Sequence, residues 1–168
     1  RKTANGLIRH SQAYRIVSVI DSSHNRQDSG QILDDVINNI PIFGNLKAAV
    51  VHERKVPDTF IYGMAPSTGK LSSQDRIVIL DAIAMGMNIV SGLHEYLSED
   101  SEIAAFASKH DVTIRDIRKP KQSKDMRLFD GSIKNVNAVR IAVLGTDCAI
   151  GKRTTATVLA RALNAKGI

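Results

Sequence analysis

At 168 residues, with 43% hydrophobic and 24% charged content, the chain suits one medium domain or a small domain plus part of another. Its longest apolar runs, such as Ile77–Leu80 and Ala82–Met85, are too short to cross a bilayer, and the polar start carries no signal-peptide core. A single cysteine excludes an internal disulfide framework and fits a cytoplasmic location, while a net charge of +6 admits an anionic partner.

The elements alternate along the chain. Thr3–His10 reads as an amphipathic helix, with Ala4, Leu7 and Ile8 along one face. A helix this close to residue one suggests that a preceding strand is missing, so both ends of the sequence read as cut. Arg15–Asp21 is β-branched and apolar, as expected of a buried parallel strand. A polar loop, Ser22–Ser29, leads to helices expected around Gln31–Asn38 and Asn45–His52.

Thr59–Met64 is the next strand and runs into a turn rich in Pro, Ser, Thr and Gly. Ser72 or Ser73 can cap a helix reaching about Met85, with Asp75 in its first turn and Gly86 as its left-handed stop. Asn88–Gly92 then predicts a strand, Ser101–Lys109 a helix and Thr113–Arg118 a short strand. This alternation argues for an α/β fold with a Rossmann-like parallel sheet over residues 1–118.

Residues 119–137 are polar and basic and read as a linker. Arg115, Arg118, Lys119, Lys121, Lys124 and Arg127 crowd this region, which serves either as a solvated connection or as a surface for nucleic acid or another anion. The near absence of aromatic residues makes nucleic acid the disfavoured partner. Residues 138–168 form a strand, loop and helix that open a second domain. Ala138–Leu144 is the expected strand and Thr155–Lys166 the helical pattern. Taken alone, that unit has one hydrophobic strand and no sheet, so it is expected to be mobile. No internal repeat or low-complexity tract is present.

The chemistry concentrates in that second unit. The run Gly145, Thr146, Asp147, Cys148, Ala149, Ile150, Gly151, Lys152, Arg153, Thr154 and Thr155 has the grammar of a P-loop. Backbone N–H groups and the positive end of a helix cradle an anion there, and Lys152 neutralises phosphate oxygens. Five residues separate Gly145 from Gly151, one more than in the common Walker pattern, as in dethiobiotin-synthetase-like NTPases. Arg153 stands where a magnesium-binding hydroxyl is usual, leaving that duty to Thr154 or Thr155. The expected ligand is a small phosphate-bearing molecule, with magnesium admissible. Cys148 is either an oxidisable thiol or a small packing residue.

Ligands of open parallel sheets bind beyond the carboxyl ends of the strands. Those ends carry Asp21, the loop Gly63–Lys70, His94 with Glu95, and Arg118. Asp21 suits either a ligand hydroxyl or the cap of its own turn. Ala65–Lys70 is an anion nest or a plain turn. His94 is the one candidate general base, with a purely structural role as the alternative. His10, His24, His52 and His110 have no ligand partners at sensible spacing, so no protein-built metal centre is expected.

Four segments together resemble one bacterial and archaeal family: KTANGLIRHS (Lys2–Ser11), IVSGLHEYLSED (Ile89–Asp100), IRDIRKP (Ile114–Pro120) and the loop GTDCAIGKRTTA. It is the DgcN-like family, named for D-glutamate N-acetyltransferase and formerly a domain of unknown function. The resemblance spans essentially the whole chain in order. It implies an N-terminal Rossmann-like domain, a C-terminal P-loop domain, and acetyl transfer from acetyl-CoA to D-glutamate. It also implies that arginine is tolerated after the loop lysine. The cradle would take phosphates of coenzyme A as readily as those of ATP.

The alternatives are an ATP-dependent ligase or kinase, and a nucleotide-sensing or nucleic-acid-binding regulatory module. Self-association into a homo-oligomer stays open. A Walker B acid and most of a substrate site are missing after Ile168, so this stretch taken alone is expected to be inert.

Overall fold

The computed structural model describes residues 2–64, 66 and 70–168. The backbone divides into two compact units, residues 1–121 and 122–168, each described by itself. Of the expected anion nest Ala65–Lys70, residues 65 and 67–69 lie outside the described residues.

In the first unit, helix α1 (Lys2–His10) lies close to its expected span. Arg9 ties it to helix α2 (Ser29–Asp34), donating from Nε to Asp34 at 3.1 Å and from Nη2 to the Leu33 carbonyl at 2.7 Å. Strand β1 is only Val19–Ile20, shorter than the expected Arg15–Asp21. Its parallel partner, β2 (Ile42–Phe43), is equally short and lies between Pro41 and Gly44. A ladder extends only as far as both strands do. That second strand has no sequence signature long enough to read.

Helix α2 also starts and stops earlier than expected. Asp28 caps it, accepting from the N–H groups of Gly30 and Gln31, and a third bond from Asn38 N–H at 3.0 Å folds the following loop back. Gly30 is buried in that fold. A Cβ there would stand 2.3 Å from the Val36 carbonyl oxygen and 2.6 Å from Asn38 Cγ. Because one neighbour is backbone, Gly30→Ala is expected to cost about 1–3 kcal/mol by overpacking, read as a lower urea midpoint.

Helix α3 (Leu46–Glu53) begins where Asn45 accepts from Ala48 N–H at 2.9 Å. Strands β3 (Thr59–Tyr62), β4 (Asn88–Ser91) and β5 (Ile114–Asp116) follow in chain order and pair in parallel, with β4 in the centre. Ile61 pairs with Val90, and Val90 with Arg115. Helices α4 (Ser73–Ala84) and α5 (Ser101–Lys109) supply the crossovers. Ser72 caps α4 as expected, and Gly86 follows its end at φ +82°.

The apolar positions of these elements converge. Ile79, Ile83, Met87, Ile89, Leu97 and Ile103 are all essentially inaccessible to solvent and form one cluster. The chain is therefore parallel α/β as expected, with its described strands in two sheets, β1-β2 and β3-β4-β5.

In the second unit, single 3-10 turns occupy Ser123–Asp125 and Ser132–Asn135, within the stretch expected to lack regular structure. The expected strand Ala138–Leu144 forms no ladder with any described residue. A strand is defined by a hydrogen-bonded neighbour, and the described residues of this unit provide none. Val139 and Leu144 accordingly stay 94% and 84% exposed. Helix α6 (Lys152–Asn164) starts three residues before the expected Thr155, directly after Gly151. No helix among the described residues is long and apolar enough to cross a membrane.

Candidate functional site

The loop between Leu144 and α6 closes on itself. A Cβ at Gly145 would stand 2.3 Å from Ile150 Cδ1, so the exposed Ile150 side chain would have to move to admit one. Gly151 stands at φ +95°, a conformation that L side chains rarely adopt, and turns the chain into α6. The helical ladder begins with Thr155 N–H to the Gly151 carbonyl at 2.9 Å. The N–H groups of Lys152, Arg153 and Thr154 thus precede the first intrahelical donor, and no side chain caps this end.

Lys152 folds back over the loop, its Nζ donating to the Asp147 carbonyl oxygen. That carbonyl engages the ammonium where a phosphate oxygen could. Cys148 N–H donates to Asp147 Oδ1 at 2.6 Å, and the thiol is exposed. Arg153, Thr154 and Thr155 are exposed as well. Three N–H donors and an ammonium suit a phosphate. Arg153 occupies the helix position after the lysine, with no shift of register that would substitute a threonine there.

The carboxyl ends of the strands in the first unit hold the other sequence-flagged residues. Asp21 caps its own turn, accepting from Ser23 N–H at 2.9 Å, from the Ser23 hydroxyl, and facing His24 Nδ1 at 3.1 Å. The Ser23 hydroxyl foremost holds its carboxyl down at about 2. His94 is exposed and makes no hydrogen bond to a described residue. His52 lies against Phe43 and His110 against Phe106, with ring centroids 5.0 and 4.5 Å apart. No three His, Cys, Asp or Glu side chains among the described residues converge as metal ligands.

Arg118 reaches back across the edge, donating from Nε to the Gly92 carbonyl at 2.7 Å. Asp116 turns the other way, accepting from the N–H groups of Leu97 and Ser98 at 3.0 and 2.9 Å. It thereby fixes the turn that follows the Gly92–Glu95 segment.

Sequence reasoning missed a further group. Arg76 in α4 grips Asp100, the cap of α5, with two parallel bonds of 2.7 and 2.8 Å, and also donates to Glu102. That pairing, above all the Arg76 bonds, holds the Asp100 carboxyl at about 2. Beside it a pocket of about 340 Å³ is lined by Leu71, Arg76, Glu95, Tyr96, Leu97 and Asp100 among others. Tyr62 closes β3 and is 4% exposed, and its hydroxyl has no hydrogen-bond partner among the described residues. A tyrosine at the carboxyl end of a strand was the only available signal.

A Rossmann-like parallel α/β unit followed by a glycine-bounded phosphate loop defines the class. Family comparison places the same two parts in the same order. Residues 22–120 match the DUF1611 Rossmann-like domain, and residues 127–168 match the DUF1611 P-loop domain, both described as domains of unknown function. The chain belongs to the DUF1611 family.

A D-glutamate N-acetyltransferase from Pseudoalteromonas is 36% identical over 110 residues, and one from Tritonibacter scottomollicae is 33% identical over the same length. Each alignment covers 66% of this chain and 32% of the relative. The crystal structure of a DUF1611 family protein from Anabaena variabilis superposes with a TM-score of 0.83 at 29% identity, covering 99% of this chain and 46% of that one. The chain thus spans about a third of the length of these curated relatives.

Proposed function

We propose that Gly145–Thr155 binds a phosphate of acetyl-CoA, and that the protein carrying this chain transfers the acetyl group to the amine of D-glutamate. The observation that carries the reading is the uncapped start of α6, with Lys152 folded across the loop. The names of the two relatives support the acyl carrier and the acceptor.

Acetyl-CoA supplies the thioester when bound. In this reading Lys152 and the N–H groups at the start of α6 anchor it through phosphate. A general base takes the proton that the amine loses as its nitrogen joins the acetyl carbon and the carbon–sulfur bond breaks. The departing thiolate then takes up a proton. The loop spacing also supports a second reading, an ATP-dependent ligase or kinase of the dethiobiotin-synthetase kind with magnesium, because the cradle reads phosphate and not the reaction.

Calorimetric titration of the 168-residue chain with CoA and with ATP tests the loop. Lys152→Ala is expected to weaken CoA binding about tenfold, the loss of one charge-assisted phosphate contact. Equal binding by the variant would overturn the loop assignment. In a protein of the relatives' full length carrying this chain, acetyl-CoA with D-glutamate is expected to release free CoA thiol. Absence of thiol together with substrate-stimulated ADP release from ATP would favour the second reading.

A further inference from the structure

In a phosphate loop the lysine is followed by a serine or threonine, whose hydroxyl binds the magnesium ion carried on a nucleotide's phosphates. Helix α6 opens at Lys152, and its first ladder bond runs from Thr155 N–H to the Gly151 carbonyl at 2.9 Å. That register puts Arg153 at the metal-binding position. Thr154 and Thr155 do not replace it, because each further residue turns about 100° round the helix.

A guanidinium has five N–H donors, no acceptor, and a charge that it keeps at any working pH. It cannot ligate a cation, and it repels one seated on a neighbouring phosphate. The first turn of α6 holds no acidic residue. Asp147 is the one carboxylate within Gly145–Thr155, and its Oδ1 is taken by Cys148 N–H at 2.6 Å. The donor set of this loop does not fit magnesium.

What the loop offers is cationic. Lys152 lies over it, with Cδ 3.1 Å from where a Cβ on Gly145 would stand and Nζ on the Asp147 carbonyl oxygen. Arg153 is exposed, and its guanidinium makes no hydrogen bond to a described residue. The Thr157 hydroxyl donates to the Arg153 carbonyl at 2.9 Å, a backbone contact that any residue at 153 keeps.

We infer that Arg153 stands in for the metal. Gly145–Thr155 then holds its phosphate without magnesium, and selects a metal-free phosphate ester such as coenzyme A over a magnesium-bound nucleotide. The planar fork of an arginine pairs two phosphate oxygens at once, while Lys152 acts as a point charge. This assignment rests on the phosphate-loop reading; D-glutamate and acetyl transfer do not enter it.

Calorimetry of the 168-residue chain with CoA and with ATP, each in EDTA and in magnesium chloride, is the test. CoA is expected to bind alike in both buffers, and ATP about tenfold more weakly once magnesium is added. Arg153→Ser restores the usual hydroxyl. It is expected to lose about tenfold in CoA affinity in EDTA and to bind ATP more tightly with magnesium than without. Arg153→Lys keeps the charge without the fork and is expected to fall between. Residue 153 is exposed, so neither change disturbs a packed side chain.

ATP binding to the parent chain that tightens with magnesium would overturn the assignment. So would an Arg153→Ser chain that binds CoA in EDTA as the parent does. If Lys152→Ala weakens CoA binding and Arg153→Ser does not, the phosphate loop stands and the role of Arg153 falls. If ATP binds in EDTA through Arg153 while CoA does not bind, the metal-free cradle stands and the acyl-carrier reading falls. Silence toward both ligands in both buffers removes the loop and the role of Arg153 together.

Discussion

Ile89→Ala is expected to lower the unfolding free energy of the first unit by about 2–5 kcal/mol, the range for removing a fully buried aliphatic side chain. Ile89 sits on the central strand β4, is 0% exposed, and pairs with Phe60 on one side and Ile114 on the other. It belongs to the same cluster as Ile79, Ile83, Met87 and Ile103. Helices and strands close in on it from several segments, so the space left by a smaller side chain cannot collapse easily. A urea titration followed by far-ultraviolet circular dichroism measures the loss. A drop below 1 kcal/mol would mean that the site relaxes around the cavity.

The second large effect belongs to Asp100. It caps α5, accepting from the N–H groups of Glu102 and Ile103 at 3.1 and 3.0 Å, and it pairs with Arg76 of α4. Asp100→Ala removes a cap worth about 0.5–2 kcal/mol and leaves Arg76 with Glu102 alone.

The same carboxylate predicts an acid response. Its folded-state pKa is depressed to about 2 from 3.8, as is that of Asp21. A depressed pKa means that the unfolded chain binds the proton more readily. The stabilisation is therefore complete above the unfolded value and is lost as pH falls from 3.8 toward about 2. Unfolding midpoints measured across that window should fall steeply in the parent chain and less steeply in Asp100→Ala. Parallel slopes in the two proteins would show that Asp100 does not carry the effect.

Local rules accounted for much of the fold. Ser72 capping α4, Gly86 at φ +82° after it, and the span Ser101–Lys109 of α5 all depend on residues within a turn of one another. What escaped was long-range. β2 is two residues beside a proline, so no periodicity could reveal it, and β1 shortened to match. The expected strand at Ala138–Leu144 failed for the opposite reason, since β propensity without a neighbouring strand makes no ladder.

The candidate site divides in the same way. Glycine spacing and Lys152 were readable because a phosphate loop is a contiguous piece of backbone. The start of α6 three residues before its expected position was not, because Gly151 sets it through its backbone angle.

By itself, the sequence determined the parallel α/β alternation, the caps of α4 and the phosphate loop, each a matter of neighbours within a few positions. Tertiary structure decided which charges are satisfied. It joined Arg76 to Asp100 across 24 residues, set Arg118 on Gly92, and buried the Tyr62 hydroxyl without a partner among the described residues. Desolvation depends on everything that packs around an atom. Only the folded chain brings those distant segments together.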